Sequence, residues 1–238
     1  MYGQITKVTQ VSINRTMRIL RAEGLVNRLP YFDLNTPRGT MTYVYGLSDK
    51  GVLQLSDDTS MPLYHIYKTF DEHSQRTLDH ELEVSFFHIA LKKFCADENL
   101  KLYWQQKDLK CTVNPDAYFA ITDPVLPDGK NTFHYFLEIE RAKLGHFRNG
   151  EPQIMKKLDG YYKYFNSEKC QKEWNFKQFR VIVVQPSAVR SENLLERLAK
   201  NHKHRMFWLT TEEAYKAGIG GKIFKTPKDF ASTAYSMV

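Results

Sequence analysis

The stretch that most constrains this chain is FHYFLEIERAK, beginning at Phe133, where Glu138 and Glu140 stand at alternate positions of an otherwise apolar run. Side chains of a strand alternate between faces, so both carboxylates project one way while Leu137 and Ile139 project the other. The segment NPDAYFAI comes before it, and Pro127-Asp-Gly129 between the two is a turn signal. An antiparallel hairpin through that turn brings Asp116, at the start of the first strand, near the glutamate pair. Three clustered carboxylates repel one another unless a cation compensates them. Hard oxygen ligands suit Mg²⁺ or Mn²⁺, which polarise phosphodiesters and activate attacking oxygens. The plainer alternative is that Glu138 and Glu140 are the solvent face of an edge strand. It leaves unexplained why Pro115-Asp116 lies one hairpin earlier and why a basic helix follows.

The N-terminal segment reads differently. QITKVTQVSINRTMRILRAEGLVNRL suggests a short helix, a turn at Thr9 to Val11, and a second helix that Ser12 can cap. On that second helix Ile13, Met17 and Leu20 share a face that can pack inward. Asn14, Arg18 and Arg21 share another, with Arg15 beside them. Gly24 ends the helix. VNRLPYFDL and MTYVYGLS then read as two strands around Asn35-Thr-Pro-Arg-Gly39, a β-wing with Arg38 at its tip, and Ser48-Asp-Lys-Gly51 opens another helix. This is the grammar of a winged helix-turn-helix, in which the second helix enters the DNA major groove and wing arginines contact backbone. The alternative is a winged helix used for protein contacts. Only Met1 to Gly3 precede the two helices, so the expected module is truncated or minimal.

A polar, histidine-containing stretch from Asp57 to Arg76 is expected to connect this module, residues 1–72, to a second domain, residues 73–238. LDHELEVSFFHIALKKFCA then reads as a helix buried on two sides, through Leu78, Leu82, Phe86 and Ile89 and through Val84, Phe87 and Leu91. Strands are expected at LKLYW, Ala117–Ile121, Phe133–Glu140, Phe179–Val184 and Met206–Leu209. Helices are expected at Gln153–Phe165 and Ser191–Lys200. The fold class is therefore α+β, with an N-terminal winged helix-turn-helix and a second α/β domain whose mixed sheet is flanked by helices. The net charge of +7 suits a polyanionic partner without requiring one. Cys95, Cys111 and Cys170 lie far apart with no CxxC pair, as expected for reduced cytosolic thiols. No apolar run approaches the roughly 18 to 20 residues of a membrane span, and no signal-like stretch follows Met1, so the expected location is the cytoplasm.

Pro115-Asp116 followed by Glu138-Ile-Glu140 resembles the PD-(D/E)xK nuclease pattern, with a glutamate where that pattern carries its lysine. The resemblance implies a restriction-endonuclease-like fold for the second domain, with a lysine that can migrate onto the following helix. That helix reads KKLDGYYKYF, where Lys157, Tyr161 and Tyr164 share a face, so Lys157 is the candidate, ahead of Lys156 and Lys143.

The ordered set of a winged helix, a helix carrying His80, PDAYFAI, FLEIERAK, KLDGYYKYF, FRVIVVQPSAVRSENLL and RMFWLTT resembles the replication-relaxation family, including the MobC-type plasmid mobilisation relaxases. The resemblance covers nearly the whole chain. It implies an enzyme that nicks one strand at a plasmid transfer origin with a divalent metal, alongside other mobilisation or relaxosome proteins and a type IV coupling protein. By the matching motifs, Asp116, Glu138 and Glu140 would be its catalytic acids and metal ligands. His80 and Glu83 lie on the helix where such folds supply a further ligand or positioning group, with Glu81 an alternative to Glu83. A satisfied core histidine is the plainer reading of His80.

Other motifs are set aside. His202-Lys-His204 sits in a basic segment and reads as solvated or phosphate-contacting. Tyr161 and Tyr164 could serve as covalent nucleophiles, but packing of an amphipathic helix explains them more simply. No GxxxxGK[ST] loop is present, which argues against ATP use. Two functional readings stand: a metal-dependent, strand-specific endonuclease, and a non-catalytic DNA-binding replication or transcription regulator on a nuclease-like scaffold.

Overall fold

The computed structural model describes residues 10–33, 40–59, 75–106, 109, 111–140, 147–148, 151–201, 204–228 and 234–237. The chain divides into two compact units, Met1–Asp79 and His80–Val238.

In the first unit, helix α1 (Gln10–Ala22) leads into the antiparallel pair β1 (Val26–Asp33) and β2 (Thr40–Leu47), followed by α2 (Asp49–Thr59). The expected helix, hairpin and helix are all present. Helix α1 begins at Gln10, so Ser12 lies inside it and is not its cap, and the turn expected at Thr9 to Val11 is replaced from Gln10 onward by helix. The short helix expected ahead of it, and Arg38 with the hairpin tip, lie outside the described residues. Gly24 takes φ +73 after α1, a conformation that favours glycine. Ser48 ties the unit together: its hydroxyl donates to the Gly24 carbonyl at 2.5 Å and accepts from the Gly51 N–H at 3.0 Å, capping α2. Met17 and Leu20 are half-buried as expected, whereas Ile13 is 43% exposed.

Helix α3 (Gln75–Asp97) begins in the last residues of the first unit and continues into the second, where β3 (Lys101–Gln105), β4 (Ala117–Thr122) and β5 (Thr132–Ile139) follow. A small antiparallel pair, β6 (Phe147–Arg148) and β7 (Glu151–Pro152), precedes α4 (Gln153–Phe165) and α5 (Lys169–Trp174). Then come β8 (Arg180–Gln185), α6 (Ala188–Asn201), β9 (Phe207–Thr211), α7 (Glu212–Gly218), β10 (Phe224–Lys225) and β11 (Ala234–Tyr235). One seven-stranded mixed sheet runs β11-β10-β9-β8-β5-β4-β3. The β5-β8 and β8-β9 pairs are parallel, and the other pairs are antiparallel.

The fold is thus mixed α+β, with seven helices among the described residues. The near-continuous apolar run of β8, buried through Val181, Ile182, Val183 and Val184, is what a parallel strand covered on both faces requires. One face packs on α4, α5 and α6 through Phe136, Val181, Val183, Leu158, Tyr161 and Leu195. The other packs on α3 and α7 through Phe119, Leu137, Ile182, Phe87, Leu91 and Tyr215.

Helix α3 corrects one expectation. Val84, Phe87 and Leu91 are buried, but of the stripe Leu78, Leu82, Phe86 and Ile89 only Leu78 is. Leu82 is half-buried, and Phe86 and Ile89 are 48% and 64% exposed. The helix meets the sheet along one line, Glu83, Val84, Phe87, Leu91 and Cys95, so the two-sided apolar pattern does not correspond to two packed sides.

The β4-β5 hairpin forms as expected, with Ala117 opposite Leu137 and Thr122 opposite Thr132. Its turn closes through the Lys130 N–H to the Pro127 carbonyl at 3.1 Å, with Gly129 at φ +81.

Candidate active site at the end of β5

Strand β5 lies between β4 and β8 in the middle of the sheet, so Glu138 is not on an edge. Alternation puts Leu137 and Ile139 against α3 and turns Glu138 toward α4, where it is 2% exposed. A carboxylate so deeply buried needs partners for both oxygens. Lys157 of α4 donates to Oε2, and the Tyr161 hydroxyl, one helical turn on, donates to Oε1 at 2.5 Å.

Asp116 is held by the backbone at the head of β4. Its N–H donates to the Leu137 carbonyl at 3.0 Å, and its Oδ2 accepts from the Ile139 N–H at 2.7 Å. That second bond locks the carboxylate across the hairpin. Oδ1 then lies 3.2 Å from His80 Nε2 and 3.9 Å from Lys157 Nζ.

The electrostatics follow from this geometry. Burial and the neighbouring Asp116 push Glu138 up to about 8, against the opposing pull of Lys157 and Tyr161. Burial works on Asp116 the same way, but the His80 hydrogen bond, the Lys157 charge and the Ile139 N–H outweigh it and hold Asp116 below its ordinary value. The hydrogen bond to Asp116 raises His80 against its own desolvation. Desolvation would lower Lys157, yet Glu138 and Asp116 raise it on balance, so its ammonium stays charged. Glu140 is half-buried and raised by desolvation, and it lies within electrostatic reach of Lys157, Asp116, Arg190 and His80.

The cation that clustered carboxylates demand is therefore provided, in this arrangement, by Lys157 from a neighbouring helix. Among the described residues, no group of three or more His, Cys, Asp and Glu side chains is arranged to hold a metal ion.

The structure brings together Asp116, Glu138, Lys157 and His80, with Glu140 one same-facing position beyond. It does not add Glu83. That residue is 1% exposed on α3, accepts a hydrogen bond from the Tyr215 hydroxyl and pairs with Lys216 of α7 at 2.9 Å. Glu81 accepts from Gln106 Nε2 at 2.8 Å. Tyr164, although on the same helix as Lys157, gives its hydroxyl to Glu173 at 2.6 Å. Tyr161 as a partner of Glu138 was legible only as helical spacing. Lys143 lies outside the described residues. In the first unit, Asn14, Arg15, Arg18 and Arg21 are all exposed on α1.

No helix among the described residues is long and apolar enough to cross a membrane. Neither a curated protein nor a solved structure matches the chain. The family model described as replication-relaxation matches residues 3–178, a span that contains His80, Asp116, Glu138, Glu140 and Lys157. That description points to a role in replication or plasmid relaxation and to interaction with DNA. With about three quarters of its length matched, the chain belongs to the replication-relaxation family.

Proposed function

We propose that the protein is a relaxase-type endonuclease that nicks one strand of DNA at a plasmid transfer origin, with the second unit as a restriction-endonuclease-like domain and the first as a winged helix-turn-helix. The observation that carries this reading is the meeting of Lys157 with both Asp116 and Glu138. The strand has glutamate at the position where the PD-(D/E)xK pattern has lysine, and α4 delivers an ammonium to the same pair of acids.

A divalent ion would find two carboxylate ligands here, with no third ligand in place among the described residues. Asp116 Oδ1 and Glu138 Oε2 already face one common cation, and the Lys157 side chain is 35% exposed, so its ammonium can withdraw toward solvent. Asp116 and Glu138 would hold Mg²⁺ or Mn²⁺, with Glu140 beside them. The ion would supply Lewis-acid polarisation of the scissile phosphodiester. Lys157 would stabilise negative charge developing on the phosphoryl oxygens, and His80 would keep Asp116 ionised and oriented. In the first unit, Asn14, Arg15, Arg18 and Arg21 would meet DNA in the major groove, with Arg38 at the wing. Mobilisation or relaxosome proteins and a type IV coupling protein are the partners this activity calls for.

One observation favours the rival, a non-catalytic DNA-binding regulator: each oxygen of Asp116 and Glu138 already has a partner within the protein. Incubation with supercoiled plasmid carrying the cognate origin and Mg²⁺ or Mn²⁺ separates the two. Nicking that disappears in Asp116→Ala and Glu138→Ala supports the enzyme, and nicking undiminished in both removes these residues from the chemistry. Titration calorimetry with Mn²⁺ adds a binding readout, since a scaffold shows no heat that Glu140→Ala abolishes.

A further inference from the structure

Strand β8 is apolar from Val181 to Val184 and ends in Gln185, which is 4% exposed. Its Nε2 has no hydrogen-bond partner among the described residues. An amide donor left buried and unpaired loses its hydration with nothing in return, so this position calls for an acceptor.

The register says where that donor lies. Val181 and Val183 face α4 and α6, whereas Ile182 and Val184 face α3, so alternation returns Gln185 to the face that carries Glu138. Strands β5 and β8 are parallel with Glu138 opposite Val183 and Ile139 opposite Val184, and the Glu140 N–H donates to the Val184 carbonyl at 3.0 Å. Gln185 is therefore level with Glu140 on the adjacent strand. Trp174, Thr210 and Thr226 also have a buried side-chain atom without a partner. Thr210 pairs with Val184 and shares its opposite face, so it does not look toward Glu138.

A second feature converges on the same strand ends. Pro186 and Ser187 lead directly from Gln185 into α6, a helix of 14 residues. The Ser187 hydroxyl accepts from the Arg190 N–H at 3.5 Å, and Arg190 is within electrostatic reach of Glu140. Helix N-termini carry unsatisfied N–H groups and partial positive charge, which suit phosphate.

We propose that Gln185 Nε2 and the N-terminus of α6 form a phosphate subsite that grips a DNA backbone phosphate next to the one cleaved. The proposal rests on the nuclease reading for its choice of DNA as the phosphate source. Its geometry, a buried donor three residues ahead of helix α6 and on the face that helix packs against, concerns any phosphodiester oxyanion.

The test uses the full chain, a short single-stranded oligonucleotide carrying the origin sequence, and inorganic phosphate. Gln185→Met keeps the side-chain shape and removes the donor; Gln185→Glu replaces it with a charge that repels phosphate. Thermal melting establishes that each variant is folded. Binding is read by fluorescence anisotropy in chelator, where nothing is cleaved, and by the shift of the Gln185 side-chain amide signals in nitrogen NMR. Expected are a five- to tenfold loss of oligonucleotide affinity in Gln185→Met and a larger loss in Gln185→Glu. Replacing one phosphate by a neutral methylphosphonate should weaken wild type and leave Gln185→Met unaffected. A shift of the amide signals with the oligonucleotide but not with inorganic phosphate assigns the site to DNA, and a shift with both assigns it to phosphate in general. Unchanged affinity in both variants, with amide signals that do not move, overturns the subsite even if wild type nicks plasmid normally. Gln185-dependent binding in a protein that nicks nothing keeps the subsite and removes the nuclease.

Discussion

Lys157, on helix α4, donates to Glu138 at the end of the central strand β5, and the same ammonium lies 3.9 Å from Asp116. This contact couples the ionisation of Glu138 to that of Lys157. Glu138 has its pKa raised to about 8, well above the ordinary 4.5 of an exposed glutamate. Between those values the folded state binds the extra proton, so Glu138 favours folding most below pH 4.5, and that contribution is lost as pH rises toward 8. In chelator, denaturant melts from pH 5 to 8 should show stability falling with pH through this residue, and Glu138→Gln should flatten the slope. Lys157→Met should steepen it, because a buried carboxylate without its cation must either protonate or destabilise the fold. An identical slope in wild type and Glu138→Gln would contradict this.

Tyr161 is fully buried with its hydroxyl on Glu138. A tyrosine so placed is a partner of the acid and is badly placed to attack a phosphodiester. Tyr161→Phe keeps the ring packing and should lower nicking without abolishing it, by at most about 10- to 150-fold, the equivalent of one hydrogen bond to a charged group of roughly 1.5 to 3 kcal/mol. Denaturing gels of the nicked strand should show no protein attached through Tyr161. Abolished nicking together with loss of a covalent adduct in this variant would give Tyr161 the nucleophilic role.

Glu83 is buried with Tyr215 and Lys216, outside the Asp116 and Glu138 cluster. Glu83→Ala should destabilise the second unit by about 3 kcal/mol, since it strands a hydroxyl and an ammonium at the seam of α3 and α7. The affinity for Mn²⁺ should stay within about twofold, whereas Asp116→Asn should lose it. Calorimetry on both variants decides, and a matching loss of affinity in Glu83→Ala would return Glu83 to the metal site.

Arg15, Arg18 and Arg21 are exposed on α1. Single alanine variants should each reduce the dependence of log affinity on log salt by about one unit if they contact phosphate. Salt titrations of origin duplex binding read this directly. An unchanged slope in all three would take α1 off the DNA.

Gly51 lies where a Cβ would come 2.0 Å from the Leu25 carbonyl oxygen. Backbone cannot yield there cheaply, so Gly51→Ala should lower the stability of the first unit by about 1 to 3 kcal/mol. The melting transition of that unit should drop by several degrees while the second unit's holds.

Much was legible before any coordinates because short-range periodicity dictates local structure. The β4-β5 hairpin, its glycine turn, the exact span of α4 and the opposed faces of Leu137 and Glu138 all follow from alternation and turn chemistry. The same logic offered no way to choose between the two apolar lines of α3. Phe86 and Ile89 are as hydrophobic as Phe87 and Leu91, and only the sheet's position decides which line is covered. Gln185 left one mark in the sequence, a polar residue closing a run of four aliphatics, yet its relation to Glu140 depends on the parallel pairing of strands separated by two helices.

The sequence by itself determined the longer elements and their order, though not the short β6, β7, α5, α7, β10 and β11, and that Asp116 and Glu138 would meet across a hairpin, since those relations span few residues and obey fixed periods. Tertiary structure alone decided that β5 is a central strand, that Lys157 lies between the two acids, and that Glu83 pairs with α7. Each depends on which distant segments pack together, and that choice is made by burial of the whole core and not by any local pattern.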